Sequence, residues 1–120
     1  MTDYQRLAAT YLDVWNEADQ GRRVRRIREL CQDDVCYVDP IVDVRGAEAL
    51  AGVIGAAQQQ FPGWSFRLDG PVDGHHGQFR LTWGLGPDGD PAPVVGFDVL
   101  VLDDDGRIGQ VYGFLDRVPA

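Results

Sequence analysis

One aspartate stands in the middle of an otherwise wholly apolar run, Val94-Val95-Gly96-Phe97-Asp98-Val99-Leu100-Val101-Leu102. A strand that is apolar on both parities is covered on both faces. A lone ionised carboxylate there costs several kcal/mol, so Asp98 must be paired, hydrated or protonated. The chain has no lysine, and the nearest arginine in sequence, Arg107, lies across a turn. Two readings stay open. Asp98 bonds a backbone donor or an arginine, or it faces a cavity with its pKa raised, as working carboxyls do.

A second carboxylate, Asp39, closes the short run Val35-Cys36-Tyr37-Val38-Asp39 just before Pro40. By the period of two it shares a face with Tyr37. An Asp-Pro pair is also an ordinary turn former. Two carboxylates at strand positions, one beside an aromatic ring and one inside an apolar strand, are groups whose pKa values can be pushed apart. Tyr11 lies one helical turn before Trp15 on an apolar stripe. It is either a core tyrosine with a satisfied hydroxyl or a phenol aimed into a cavity, where it can donate to a developing oxyanion.

Three helices and a set of strands must position these groups. Tyr4, Leu7, Ala8, Tyr11, Leu12, Trp15 and Ala18 recur at three- and four-residue intervals and mark an amphipathic helix, capped by Thr2 or Asp3 and ended by Asp19–Gly21. A second helix is expected over 22–32. Its arginines (Arg22, Arg23, Arg25, Arg26 and Arg28) form a solvated face opposite Val24, Ile27, Leu30 and Cys31. A third runs over 46–60 on Leu50, Ala51, Ile54 and Ala57.

From Trp64 onward the period becomes two. Strands are expected at 64–68, 79–85, 92–102 and 108–116, besides 35–39, with turns at Gly70-Pro71, Gly74–Gly77, Gly86–Gly89 and Asp103–Gly106. Helices followed by a meander of strands define an α+β domain with helices on one face of an antiparallel sheet. Residues 1–120 are expected to form this single domain.

Composition narrows the function. A net charge of −8 disfavours nucleic acid, whose recognition requires a basic surface. There is no apolar run long enough to span a membrane. The N-terminus lacks the basic start and apolar stretch of a secretory signal, so a cytoplasmic location is expected. Cys31 and Cys36 lack the spacing of a redox or zinc site and read as buried free thiols. His75-His76 reads as a hairpin tip. Asp103-Asp104-Asp105-Gly106 opens like a calcium loop but lacks the closing glutamate, and so reads as a turn. No metal and no organic cofactor is expected.

The order of three helices and a curved sheet, with Tyr37-Val38-Asp39-Pro40 after the second helix, resembles the nuclear transport factor 2-like superfamily. That superfamily includes the SnoaL-type polyketide cyclases and the ketosteroid isomerases. The closing run Phe97-Asp98-Val99-Leu100…Asp103–Ile108…Tyr112-Gly113-Phe114 is similar to the last hairpin of that family, and Leu68-Asp69-Gly70-Pro71-Val72 to a middle stretch of the isomerases.

The resemblance implies a cone-shaped curved sheet with the three helices on its concave face, the cystatin-like or ketosteroid isomerase-like fold. It also implies proton transfer α to a carbonyl on a hydrophobic ketone, as in an isomerase or cyclase. Asp39 matches the general base, and Tyr11 and Asp98 match the two oxyanion donors. Ketosteroid isomerase is the reference case for such a carboxyl pair, so this chemistry is carried by the likeness.

Trp15, Phe79, Trp83, Leu100, Val111 and Leu115 are expected to line the cone around a small hydrophobic ligand. The opposite face, with Phe97, Val99, Tyr112 and Phe114, is expected to form a homodimer. Two other activities suit the same pocket: water addition to an epoxide, and binding or assembly without chemistry.

Overall fold

A computed structural model describes residues 2–88 and 91–119 of the chain. Helix α1 (Tyr4–Trp15) begins where the Asp3 side chain accepts from the Arg6 amide at 3.0 Å. Helix α2 (Gln20–Leu30) begins the same way, with Asp19 accepting from the Arg22 amide at 2.8 Å. Asp19 therefore starts α2, and α1 has already ended at Trp15. Helix α3 (Ala47–Gln60) buries Leu50, Ala51 and Ile54.

Seven strands follow the sequence order β1 (Cys31–Val38), β2 (Asp43–Arg45), β3 (Ser65–Leu68), β4 (Asp73–His75), β5 (Gln78–Gly86), β6 (Val94–Leu102) and β7 (Ile108–Arg117). Only five were expected. The two extra ones, β2 and β4, are three residues each, too short for a periodic signal. They form as partners of β1 and β5. The His75-His76 hairpin is confirmed, and positive φ at both His76 (51°) and Gly77 (78°) is the geometry of a two-residue hairpin turn. The expected turn at 86–89 ends at Gly89, outside the described residues.

The sheet order is β2-β1-β7-β6-β5-β3, with β4 on β5. It is antiparallel except between β1 and β7, which run parallel. The expectation of a wholly antiparallel sheet is corrected at this one seam. The first strand of the chain pairs with the last, and the long connection between them, which contains α3, allows β1 to enter in either sense. The chain thus has three helices and a curved, unclosed, mixed sheet of the α+β class.

Strand β6 decides which face is inside. Val94, Gly96, Asp98 and Leu100 are buried, whereas Val95, Phe97, Val99 and Val101 between them are half-buried on the outer face. On that outer face Phe97 and Phe114 stack with centroids 4.8 Å apart, and Phe114 is 49% exposed.

The arginine-rich face of α2 is not wholly solvated. Arg23 is buried at 3% exposure, because its guanidinium has five hydrogen-bond partners: the Glu17, Ala18 and Ala51 carbonyls and the Gln20 and Gln58 side chains. A buried cation whose donors are all satisfied binds α2 to α3 and the α1–α2 turn. Gly55 leaves it room, since a Cβ there would lie 3.0 Å from Arg23 Nη1. Of the two free thiols, Cys31 is buried and held near 12 by burial, whereas Cys36 is only half-buried.

Candidate active site

Cross-strand register stacks the concave face in rows. Phe79, Leu100 and Val111 form one row across β5, β6 and β7; Leu81, Asp98 and Gly113 form the next; Trp83, Gly96 and Leu115 form the third. A cavity of about 670 Å³ opens above the second row. Asp98, Gly113, Trp83 and Leu115 line it, as do Trp15 of α1 and Asp39 just past β1.

Phe79, Leu100 and Val111 do not line it, and their expected place on the wall is corrected. Their row lies below Asp98 and is packed shut, each residue at most 2% exposed, with the Phe79 ring against Tyr4 at 5.5 Å. The right parity puts a side chain on the concave face, but height along the strand decides between pocket and core.

Gly113 brings the two carboxylates together. A Cβ on this residue would lie 2.9 Å from Asp98 Oδ1 and 3.3 Å from Asp39 Cβ. The missing side chain of β7 is therefore the space in which Asp98 and Asp39 approach each other, 59 residues apart in sequence.

Their environments differ. Asp39 accepts from the Ile41 and Val42 amides on Oδ1, at 2.8 and 2.9 Å, and from the Tyr37 hydroxyl on Oδ2 at 2.8 Å. Three donors complement a negative carboxylate. The turn reading of Asp39 is thus correct, and it coexists with a place on the cavity wall.

Asp98 is 3% exposed. It accepts from the Tyr11 hydroxyl on Oδ2 at 2.7 Å and from the Trp83 indole on Oδ1 at 3.1 Å. Burial, the largest influence, raises its pKa from 3.8 to about 6. The bonds from Tyr11 and Trp83 pull it down, and the Asp39 charge pushes it up. Neither Arg107 nor a backbone amide is its partner; Arg107 donates instead to the Arg28 carbonyl.

Of the two readings of Tyr11, the geometry fits the core tyrosine with a satisfied hydroxyl, whose hydrogen bond Asp98 accepts. At 2% exposure Tyr11 lies behind Asp98 and off the cavity wall. Burial, followed by the Asp98 charge, lifts its phenol well above the ordinary range and keeps it a neutral donor.

Tyr37 was not among the expected site residues, yet it lines the cavity and bonds Asp39. Its signal was present in the parity it shares with Asp39. Burial and the two carboxylates raise its phenol as well. Phe66 was also missed. It joins Trp15, which makes ring contacts at 5.7 Å with Tyr37 and 5.1 Å with Phe66, to Trp83 at 5.6 Å. The aromatic arc starts at the phenol on Asp39 and ends at the indole on Asp98. It encloses an apolar cavity with two carboxyl groups at its floor, an arrangement able to hold and move a proton.

Three helices on a curved, unclosed mixed sheet define a cystatin-like fold of the α+β class. The chain belongs to the SnoaL-like domain family, whose model matches residues 8–111. It is similar to a solved structure of a proposed isomerase of the SnoaL-like family from Agrobacterium tumefaciens strain C58. The two share 43% identity over 97% of this chain and 99% of that one, with a TM-score of 0.88. A proposed SnoaL-like polyketide cyclase from Jannaschia sp. CCS1 shares 16% identity over 97% and 92% of the two chains, at a TM-score of 0.69. A protein of cystatin-like fold from Methylobium petroleophilum PM1 shares 19% over 98% and 78%, at 0.74. These two bear on the fold alone. No curated protein matches the chain. No helix of the described residues is long and apolar enough to cross a membrane.

Proposed function

We propose that this protein transfers a proton α to a carbonyl in a hydrophobic ketone, as an isomerase or cyclase does, without a cofactor. The observation that carries the reading is the pair Asp39 and Asp98 on either side of Gly113, Asp39 held by three donors and Asp98 buried with its pKa raised to about 6. Asp39 is the base. It takes a proton from the carbon next to the carbonyl, and the electrons of that C–H bond move onto the carbonyl oxygen. Asp98, protonated, donates a hydrogen bond to the enolate oxygen from the cavity side. Asp39 then returns the proton to the same skeleton at another carbon, and the atoms balance without a further reactant.

Tyr11 acts through Asp98, because its hydroxyl reaches the carboxyl and not the cavity. One oxyanion donor of this kind contributes about 3–4 kcal/mol to the transition state, and a positioned base roughly 10²–10⁴-fold in rate. The 43% identical relative called a proposed isomerase supports the same reaction class.

The test is exchange of α-protons for deuterium in a panel of cyclic and polycyclic β,γ-unsaturated ketones, followed by NMR. The wild type should exchange at least one of them, and Asp39→Asn should lose that exchange. Equal exchange by the two proteins would remove Asp39 as base. The expected homodimer belongs to the same proposal, supported by the Phe97–Phe114 stack on the outer face; a monomer in sedimentation velocity would remove it.

A further inference from the structure

The indole of Trp83 joins the cavity wall to Asp98. The two residues lie on adjacent strands in neighbouring rows, and Gly96 is the direct partner of Trp83 on β6. A Cβ on Gly96 would collide with Trp83 Cζ2 and lie 2.9 Å from Cε2, so the ring lies flat across the glycine. From that position Nε1 donates to Asp98 Oδ1 at 3.1 Å. Oδ1 is also the oxygen nearest the Gly113 gap, whereas Oδ2 is turned back to Tyr11. The indole thus lines the cavity and also holds the oxygen of Asp98 that faces Asp39 across the gap.

We propose that Trp83 is the positioning residue of Asp98, its indole N–H fixing the cavity-facing carboxyl oxygen and setting how readily that oxygen carries a proton. The role rests on the acid assigned to Asp98 above, but the contact stands without any turnover. An indole N–H only donates, so it favours the ionised carboxyl and opposes the loading of the acid. The other groups that act on Asp98 are the Tyr11 phenol of α1, which also donates, and the Asp39 carboxylate beyond β1, which opposes ionisation. The Tyr37 phenol of β1 lies near the same gap, 3.7 Å from a Cβ at Gly113, with its own hydroxyl turned to Asp39.

The experiment needs no substrate. In ligand-free wild type, the Trp83 indole ¹⁵N–H resonance and the Asp98 carboxyl ¹³C resonance should titrate with one shared midpoint near pH 6. In Trp83→Phe, which keeps a ring on the wall, the Asp98 midpoint should rise by about one pH unit, in line with loss of a donor to a charged group. An indole resonance that does not follow Asp98, or an unchanged midpoint in a folded Trp83→Phe protein, would overturn the proposal. The wild-type titration decides by itself, so the proposal remains open to refutation even where the variant does not fold. Failure of the deuterium exchange described above would remove the reaction and leave this result intact.

Discussion

The hydroxyl of Tyr11 donates to Oδ2 of Asp98 at 2.7 Å from behind the cavity wall, so the two residues act in series on one carboxyl. Side by side, they would offer a ligand two donors. In series, the phenol orients and stabilises the carboxyl, and of the two only the carboxyl lines the cavity. Replacing Tyr11 by Phe removes a donor that favours ionised Asp98, so the Asp98 pKa should rise further. Loss of this buried bond should also cost about 1–3 kcal/mol in urea unfolding. The same variant should retain part of its activity, whereas Asp98→Ala should not.

Folding stability should carry the signature of Asp98. The folded protein keeps its proton up to about pH 6, whereas the unfolded chain releases it near 3.8. Between those values the folded state binds more protons, so stability falls as pH rises. The contribution is full below about pH 4 and is lost by the time pH passes 6, a difference of about 3 kcal/mol. Asp98→Asn should flatten that part of the profile, as chemical denaturation across pH 4–7 will show.

The same group should shape the rate. With Asp98 as the acid, kcat/KM reports the ligand-free enzyme and should fall as pH rises through about 6. An amide donates at every pH, so Asp98→Asn should abolish that fall while lowering the plateau. A wild-type profile flat between pH 5 and 8 on an exchanging ketone would reject Asp98 as acid.

Gly113 should tolerate nothing larger. Its Cβ would enter at 2.9 Å from Asp98 Oδ1 and 3.3 Å from Asp39 Cβ, so Gly113→Ala must part the two carboxyls. Overpacking of this kind costs typically 1–3 kcal/mol. Activity should fall by at least 10-fold, with the loss in kcat greater than that in KM, because the wall aromatics that hold the ligand are untouched.

Much was legible along the chain because it is local. The stripe from Tyr4 to Trp15 and the alternation around Asp98 reflect periods of 3.6 and 2, which depend only on neighbouring residues. So does the break at Asp98, because a carboxyl between Phe97 and Val99 is anomalous wherever the strand lies. The family resemblance was legible too: it implied Asp39 as base and Tyr11 with Asp98 as oxyanion donors, of which Asp39 and Asp98 line the cavity and Tyr11 does not.

The tertiary structure decided what depends on residues far apart. That Tyr11 stands behind Asp98, that Gly113 is the gap between the carboxyls, and that Trp83 lies over Gly96 all follow from strand register and helix docking, which no local period encodes. For the same reason parity placed Phe79, Leu100 and Val111 on the concave face but could not tell that their row is packed shut below the cavity. Buried Arg23 belongs here as well. A charged side chain goes inside only where five acceptors converge, and they come from the α1–α2 turn, α2 and α3. Sequence by itself marked Asp98 as a carboxyl that must be accommodated; the fold supplied the phenol, the indole and the glycine gap that accommodate it.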